Sequence, residues 1–312
     1  MNLIDVTKQF ATDDQCLDYI EQMRWPDGVK RCPTCGNDKL SRIERKKQSK
    51  NKRTRIYQCL EKTCKAQFSP TAGTIFHDSH LPLTKWFMAI ALVMNAKKGM
   101  SALQLQRDLG IGSYRTAWYL YHRIRESMQE QYPEKLGGIV EMDELYVGGK
   151  QRGKGIKYGM KQKQTVFGIR QREGNLRMIH TTDAKADTLK RLIEQHVSPD
   201  VRFVMTDAST AAKAALVKLD LQDRHHSVNH IAGEYVRDKI IHTNTIESAF
   251  SLFRRGVIGS FHTISIKHLQ RYLNEFCYRF DRREIKDAFE QTVRRVAGFA
   301  PITYRALISE KA

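Results

Sequence analysis

Two close cysteine pairs, a run of helices that turns twice on glycine, and a strand-rich segment alternating with helices after residue 138 predict a multidomain α/β protein. At 312 residues with 41% hydrophobic content, the chain is long enough for two or three domains, at least one with a full core. The breaks in pattern divide it into an N-terminal helical segment (1–25), a cysteine-rich ribbon (26–80), a helical hairpin region (81–132), an α/β domain (138–285) and a C-terminal tail (286–312).

The four paired cysteines come first. "CPTC" (Cys32, Cys35) and "CLEKTC" (Cys59, Cys64) each grip one ion from a tight turn, and the chain between them returns to close a tetrahedral thiolate site. Gly36 lets the first turn aim backbone amides at the sulfurs. The spacing therefore predicts a zinc ribbon, with Cys16 and Cys277 outside it. Between the pairs, Arg42 to Arg55 carries eight cations and one acid, a solvated loop placed to meet phosphates without reading bases.

From Thr84, the expected N-cap of its helix, to about Met128 the pattern gives three helices. "TKWFMAIALVMNAKKG" stops at Gly99, "SALQLQRDLG" runs from Ser101 to Gly110, and "SYRTAWYLYHRIRESM" follows a two-residue turn. A serine-capped helix, a glycine turn and a second helix opening on Ser113, Tyr114, Arg115 and Thr116 form a helix-turn-helix, whose second helix would present Tyr114 and Arg115 to the major groove. Trp118, Leu120, Tyr121 and Ile124 read as core.

Charge points to the same class of partner. Fifty-three Lys and Arg against 34 Asp and Glu give a net charge of +19 and a pI near 9.7. Such an excess repels itself in the compact state unless a polyanion neutralises it, so nucleic acid is the leading expected partner, with a generic basic protein or one that sits on anionic lipid as the alternative. The start, "MNLIDVTKQFATDDQ", has no cationic stretch leading into an apolar run, and "WFMAIALVM" (Trp86 to Met94) is about half a membrane span. The expectation is a cytoplasmic protein with no membrane partner.

After the linker "QYPEKLGG", "IVEMDELYV" reads as a strand and "QTVFGIRQREGNLRMIHTTD" as two more, joined at Glu173 and Gly174. "ADTLKRLIEQHV" is a helix, "RFVMTDAS" a buried strand, "TAAKAALVKL" a helix, "HHSVNH" a short element, and a long helical region starts near Thr243. A three-strand meander followed by alternating helix and strand is the order of a ribonuclease H-like domain. A doubly wound nucleotide fold would place a helix directly after its first strand. Gly148, Gly153 and Lys154 mimic a phosphate-binding loop, but Gly155 stands where the magnesium-binding hydroxyl belongs. The segment carrying Lys150, Arg152, Lys154, Lys157, Lys161 and Lys163 reads instead as a basic finger for DNA.

Three acids in these elements suggest metal chemistry. In a strand, Glu141 and Asp143 face one way and Glu144 the other, so two acids could approach a metal from one side. Asp207 ends a strand expected to lie parallel beside the first. Helical spacing then puts Asn244, Glu247, Ser251 and Arg254 on one face, with Ile246, Phe250, Phe253 and Val257 on the neighbouring face. Glu247 is the third candidate ligand, and Arg254 a phosphate holder. His226 and His230, spaced H-x-x-x-H, have no acid or cysteine at a ligand spacing and read as structural or DNA-facing.

The blocks "CPTCG", "FSPTAGTIF", "LPLTKWF", "SALQLQRDLGI", "MDELYVGG", "TDAS", "VNH", "HTNTIES" and "HLQRYLNEFCYRFDRR" resemble those of IS1595-family transposases of the ISXO2-like group. The resemblance runs from about Phe10 to Arg283 and implies a DDE-type ribonuclease H-like catalytic domain with Asp143, Asp207 and Glu247 as its acidic triad. Arg254 stands where that family often has Lys, and because members of the family vary at the third catalytic position the resemblance also implies Asn244 as a rival to Glu247. The expected activity is cleavage at the 3′ ends of an insertion sequence and joining of those ends to target DNA, by two-metal phosphodiester chemistry. Hard oxygen ligands favour Mg²⁺, with Mn²⁺ able to substitute, while four thiolates select Zn²⁺. The resemblance also implies double-stranded DNA (terminal inverted repeats and target) as partner, a homo-oligomer assembled on DNA, and a bacterial, nucleoid-associated location. A zinc-ribbon and helix-turn-helix regulator with an inert α/β domain is the alternative, and a nuclease or resolvase that cuts without joining is another.

Overall fold

The computed structural model describes residues 1–43, 55–131, 133–148 and 163–309. Most of the basic run between the cysteine pairs, and Lys150, Arg152, Gly153, Lys154, Gly155, Lys157 and Lys161 of the expected DNA finger, lie outside the described residues. The chain divides into two compact units: Met1–Ala96 with Ser101–Met128 and Ile285–Glu310, and Lys97–Met100 with Gln129–Glu284 and Lys311–Ala312.

The first unit opens with helices Leu3–Gln9 and Asp13–Arg24. Each is started by a reciprocal capping box, Asn2 with Asp5 and Thr12 with Gln15. Strands β1 (Leu40–Ile43), β2 (Ile56–Cys59) and β3 (Gln67–Phe68) form a small antiparallel sheet. Helix Leu83–Asn95 is apolar nearly all round and buries Trp86, Phe87, Ile90 and Val93. Thr84 is not its cap: the N-cap is Pro82, and the Thr84 amide donates instead to Asp13 Oδ1 at 3.2 Å. Helix Ala102–Asp108 is capped by Ser101, which accepts from the Gln104 amide at 3.0 Å, and helix Tyr114–Ser127 follows across Gly110 at φ +55. Residues 288–309, expected within a tail, hold helices Ala288–Gly298 and Tyr304–Ser309. Phe289 sits with its ring 5.9 Å from Phe10 and 6.2 Å from Phe87, so the end of the chain completes the core of this unit.

The second unit is built on a five-stranded sheet: β4 (Ile139–Val147), β5 (Gln164–Gln171), β6 (Leu176–Thr181), β7 (Phe203–Asp207) and β8 (His225–Val228), in the order β6-β5-β4-β7-β8. The β4–β5 and β5–β6 pairs are antiparallel, while β7 runs parallel to β4 and β8 parallel to β7. The antiparallel β5 removes the doubly wound alternative, which needs a parallel crossover at that point. Alternation along β4 divides the core in two. Val140 and Met142 pack with helices Ala186–His196 and Thr210–Val217, while Leu145 and Val147 pack with helices Asn244–Gly256 and Ile266–Asp281. Among the described residues no helix is long and apolar enough to cross a membrane.

Candidate active site and thiolate centre

The acids of β4 have two different fates. Glu141 is completely buried and, among the described residues, belongs to no metal-ligand cluster. Its Oε2 accepts from the backbone amides of Thr245 (2.9 Å) and Ile246 (3.0 Å) and from the Thr245 hydroxyl (2.7 Å), while Oε1 accepts from Arg172 Nε at 2.7 Å. A carboxylate there satisfies orphan donors at the start of helix Asn244–Gly256 and meets its dipole. The expectation that Glu141 and Asp143 approach a metal from the same side is corrected on this point. Glu141 ties the strand to the helix, and Arg172, which also donates to the carbonyls of Ile240 and His242, fastens the segment leading into it.

Asp143 faces the same way but has no such partners. Parallel pairing aligns Glu141 with Met205, and two more residues bring Asp207 level with Asp143 at the carboxyl end of β7. Glu144 points to the opposite face of β4, yet its longer side chain comes round: one oxygen each from Asp143, Glu144 and Asp207 lie within 4.8 Å of one another. None of the three has an ion-pair partner among the described residues. Burial, then the charges of Asp207, Glu144 and Glu247, push Asp143 up to about 7 against the pull of the Glu144 amide, which donates to it at 2.8 Å. Burial and the charge of Asp207 likewise push Glu144 up to about 7. Three crowded, uncompensated oxygen donors fit a hard divalent cation such as Mg²⁺ or Mn²⁺.

Asp207 accepts from the Ser209 amide at 3.1 Å, and Ser209 in turn caps helix Thr210–Val217, so the strand end is fixed where the acid leaves it. Gly168 stands opposite Asp143 in β5. A Cβ there would lie 2.8 Å from Ile246 Cδ1 and closer still to the Phe250 ring. Glycine thus lets helix Asn244–Gly256 settle onto the sheet beside the acids.

Glu247 is half-exposed on the first turn of that helix. Its charge reaches Asp143, but its oxygens lie outside the 4.8 Å cluster. Thr243 Oγ1 donates to Glu247 Oε1 at 2.6 Å, and His230 Nε2 lies 3.0 Å from the same oxygen. Asn244 and Arg254 are exposed on the face that carries Glu247. Sequence reasoning missed Glu144, excluded by its parity, and the part played by His230. His226 is not in the acidic cluster among the described residues; its ring packs edge-on to Phe203 at 5.2 Å. In the first unit Tyr114 is 52% exposed, and the exposed Arg115 lies over the Tyr304 ring at 5.8 Å.

The four paired cysteines do converge. Their sulfurs lie within 4.8 Å of one another, with Cys32–Cys64 at 3.8 Å and Cys35–Cys59 at 3.6 Å. A tetrahedral site with Zn–S bonds of about 2.3 Å has an S···S edge of roughly 3.8 Å, so the sulfurs fit such an ion. Gly36, at φ +76, donates its amide to the Cys32 carbonyl at 2.8 Å. Lys65, at φ +47, makes the corresponding turn after Cys64, which is how the wider second pair still delivers both sulfurs. Burial raises the Cys32 thiol, but the amides of Thr34 and Cys35 outweigh it and bring it to about 7.

Residues 135–281 match the ISXO2-like transposase domain, and residues 11–67 match the transposase zinc-ribbon domain. The chain is also similar to the uncharacterized protein in transposable element ISH50 of Halobacterium salinarum, with 28% identity over 289 residues that cover 87% of this chain and 92% of that protein. The two domain matches take in the four clustered cysteines together with Asp143, Glu144, Asp207 and Glu247, so the chain carries an ISXO2-like DDE transposase domain and a transposase zinc ribbon, both of the IS1595 type.

Proposed function

We propose that the protein binds the ends of an insertion sequence, cleaves at their 3′ ends and joins them to target DNA. The observation that carries this reading is the convergence of Asp143, Glu144 and Asp207 near the carboxyl end of β7, with no ion-pair partner among the described residues. A DNA-binding regulator has no use for such a group. The strand order, a meander followed by two parallel strands, supports the ribonuclease H-like reading of residues 138–285. Asp143, Asp207 and Glu247 would hold divalent metal, with Glu144 within reach of the same site. Bound there, metal would activate the attacking oxygen, water for cleavage or a 3′-hydroxyl for joining, and stabilise the leaving one. The chain's own part is to fix the carboxylates on β4, β7 and a helix anchored through Glu141. Arg254, exposed two turns beyond Glu247, is suited to a phosphate of the bound strand.

The remaining roles follow from the first unit. The four thiolates fit structural zinc, and the helices either side of Gly110 suit a helix-turn-helix that offers Tyr114 and Arg115 to DNA. Lys150, Arg152 and Lys154 extend that contact in this reading. Assembly as a homo-oligomer on paired ends, in the compartment that holds the chromosome, completes it; the similarity to an archaeal protein leaves a bacterial source a proposal.

The test uses Asp143→Asn, Asp207→Asn and Glu247→Gln. Each should abolish joining of pre-cleaved ends in Mg²⁺ yet leave end-binding intact or slightly tighter, because a negative charge near phosphate is lost. Asn244→Ala should impair joining less than Glu247→Gln. Joining at the parental rate by all four variants would leave the regulator as the better reading.

A further inference from the structure

We propose that His230 is a positioning residue for the third carboxylate, holding Glu247 by one oxygen and tying it to β8, the strand paired with the one that carries Asp207. The inference rests on the reading of Glu247 as a metal-holding acid. Glu247 starts from a weak position: its side chain is 42% exposed, and the charge of Asp143 repels it. Left alone, a glutamate there would spend its rotamer freedom in solvent. Two donors prevent this. Thr243, completely buried just before the helix, donates its hydroxyl proton to Glu247 Oε1. His230 Nε2 then lies 3.0 Å from that oxygen and 3.1 Å from Thr243 Oγ1, closing a triangle.

The triangle fixes the tautomer. A carboxylate only accepts, and the single Thr243 proton is already committed to it, so His230 Nε2 must carry a hydrogen of its own. Both donors grip Oε1, and Oε2 has no hydrogen bond among the described residues, which leaves that oxygen for a metal. The imidazole is itself held. The Asn229 side chain accepts from the Ala232 amide at 3.2 Å, the Gly233 amide donates to the His230 carbonyl at 3.1 Å, and the ring packs at 5.2 Å from that of Tyr235. This turn leaves β8 directly after Val228, the register partner of Asp207. The acid on the helix is thus braced from the strand next to the acid on the sheet, the arrangement in which an outer hydrogen bond sets the aim of a ligand.

Mn²⁺ titrated into the full-length, zinc-loaded, DNA-free protein tests this by calorimetry, with joining of pre-cleaved ends measured across Mg²⁺ concentrations. His230→Ala and His230→Asn should weaken Mn²⁺ binding and raise the Mg²⁺ requirement by about 10-fold or more. His230→Gln should restore most of both, because its amide nitrogen can occupy the place of Nε2 while that of asparagine falls short. In a Glu247→Gln background His230→Ala should change Mn²⁺ binding no further. Parental Mn²⁺ affinity in His230→Ala overturns the proposal, as does a loss of equal size in the Glu247→Gln background or an equal loss in the glutamine and asparagine variants. If Glu247→Gln binds Mn²⁺ and joins ends like the parent, Glu247 is not the third acid and both readings fall. If Glu247→Gln is impaired and His230→Ala is not, only the role of His230 falls.

Discussion

Replacing Asp143 by asparagine should stabilise the second unit at pH 8 in the absence of divalent metal and change it little at pH 4. In the folded chain burial, Asp207, Glu144 and Glu247 push Asp143 from an ordinary 3.8 up to about 7. A raised carboxyl pKa means the folded state holds its proton longer than the unfolded state does. Between about pH 4 and pH 7 the folded form therefore binds more protons, and stability falls as pH rises through that window. A shift of about 3 units at about 1.36 kcal/mol each sets a ceiling near 4 kcal/mol above pH 7. Because Asp143 titrates together with its acidic neighbours, removing one charge should release about 2–4 kcal/mol, or roughly 5–15 °C in melting temperature for a unit of this size. The three tryptophans, Trp25, Trp86 and Trp118, all lie in the first unit. A transition seen by far-ultraviolet circular dichroism but silent in tryptophan fluorescence thus belongs to the second. Added Mg²⁺ should reverse the order, raising the parent more than the variant, since only the parent keeps the full ligand set. Identical melting of parent and Asp143→Asn from pH 4 to pH 8 without Mg²⁺ would refute the account of the acidic cluster.

The opposite sign is expected two residues earlier. Glu141→Ala strips a buried carboxylate from Arg172 and from two helix amides, and should lower the same transition by about 3–5 kcal/mol in urea or heat, with Glu141→Gln losing less. At the ribbon, Cys64→Ser should reduce bound zinc, read by metal analysis, from one ion per chain. It should also red-shift tryptophan emission, because Trp25 packs against the cluster of Cys32, Tyr57, Cys59 and Phe68, while the second unit melts as before.

What the sequence revealed, and what it hid, follows the range of each physical signal. The cysteine pairs, the strand meander and the helix carrying Glu247 were legible because spacing and periodicity are local. The role of Glu141 is not legible because alternation gives the direction of a side chain and not its partners; the donors it meets come from Arg172, 31 positions on, and from Thr245 and Ile246, more than a hundred positions on. Glu144 was passed over for a related reason. Parity describes the Cβ, while the longer glutamate side chain, one residue past the level at which β7 ends, brings an oxygen back to the neighbouring acids. The C-terminal helices carried a readable stripe, Phe289, Val293, Val296 and Ala297, all buried, but nothing local showed that a core begun at residue 6 would be completed by residue 289.

The contrast between Glu141 and Asp143 bears on how a chain of net charge +19 comes to hold a cluster of bare carboxylates. Cations sufficient to neutralise these acids exist throughout the sequence, and Arg172 shows that one can be delivered to β4 when the fold requires it. Beside Asp143, Glu144 and Asp207 none of the described residues delivers one. Pairing any of the three with arginine would bring its pKa down and remove the stress of crowding, but it would also occupy the oxygens and lower the attraction for a divalent ion. The fold instead leaves the repulsion standing and supports it with what surrounds it: a strand pinned on both sides, a glycine that admits the helix, and a buried glutamate that fastens the helix in place. In the proposed reading DNA phosphate approaching such a cluster would be repelled until a divalent cation is present, so the same charge that is expected to destabilise the metal-free fold would make the chemistry conditional on metal.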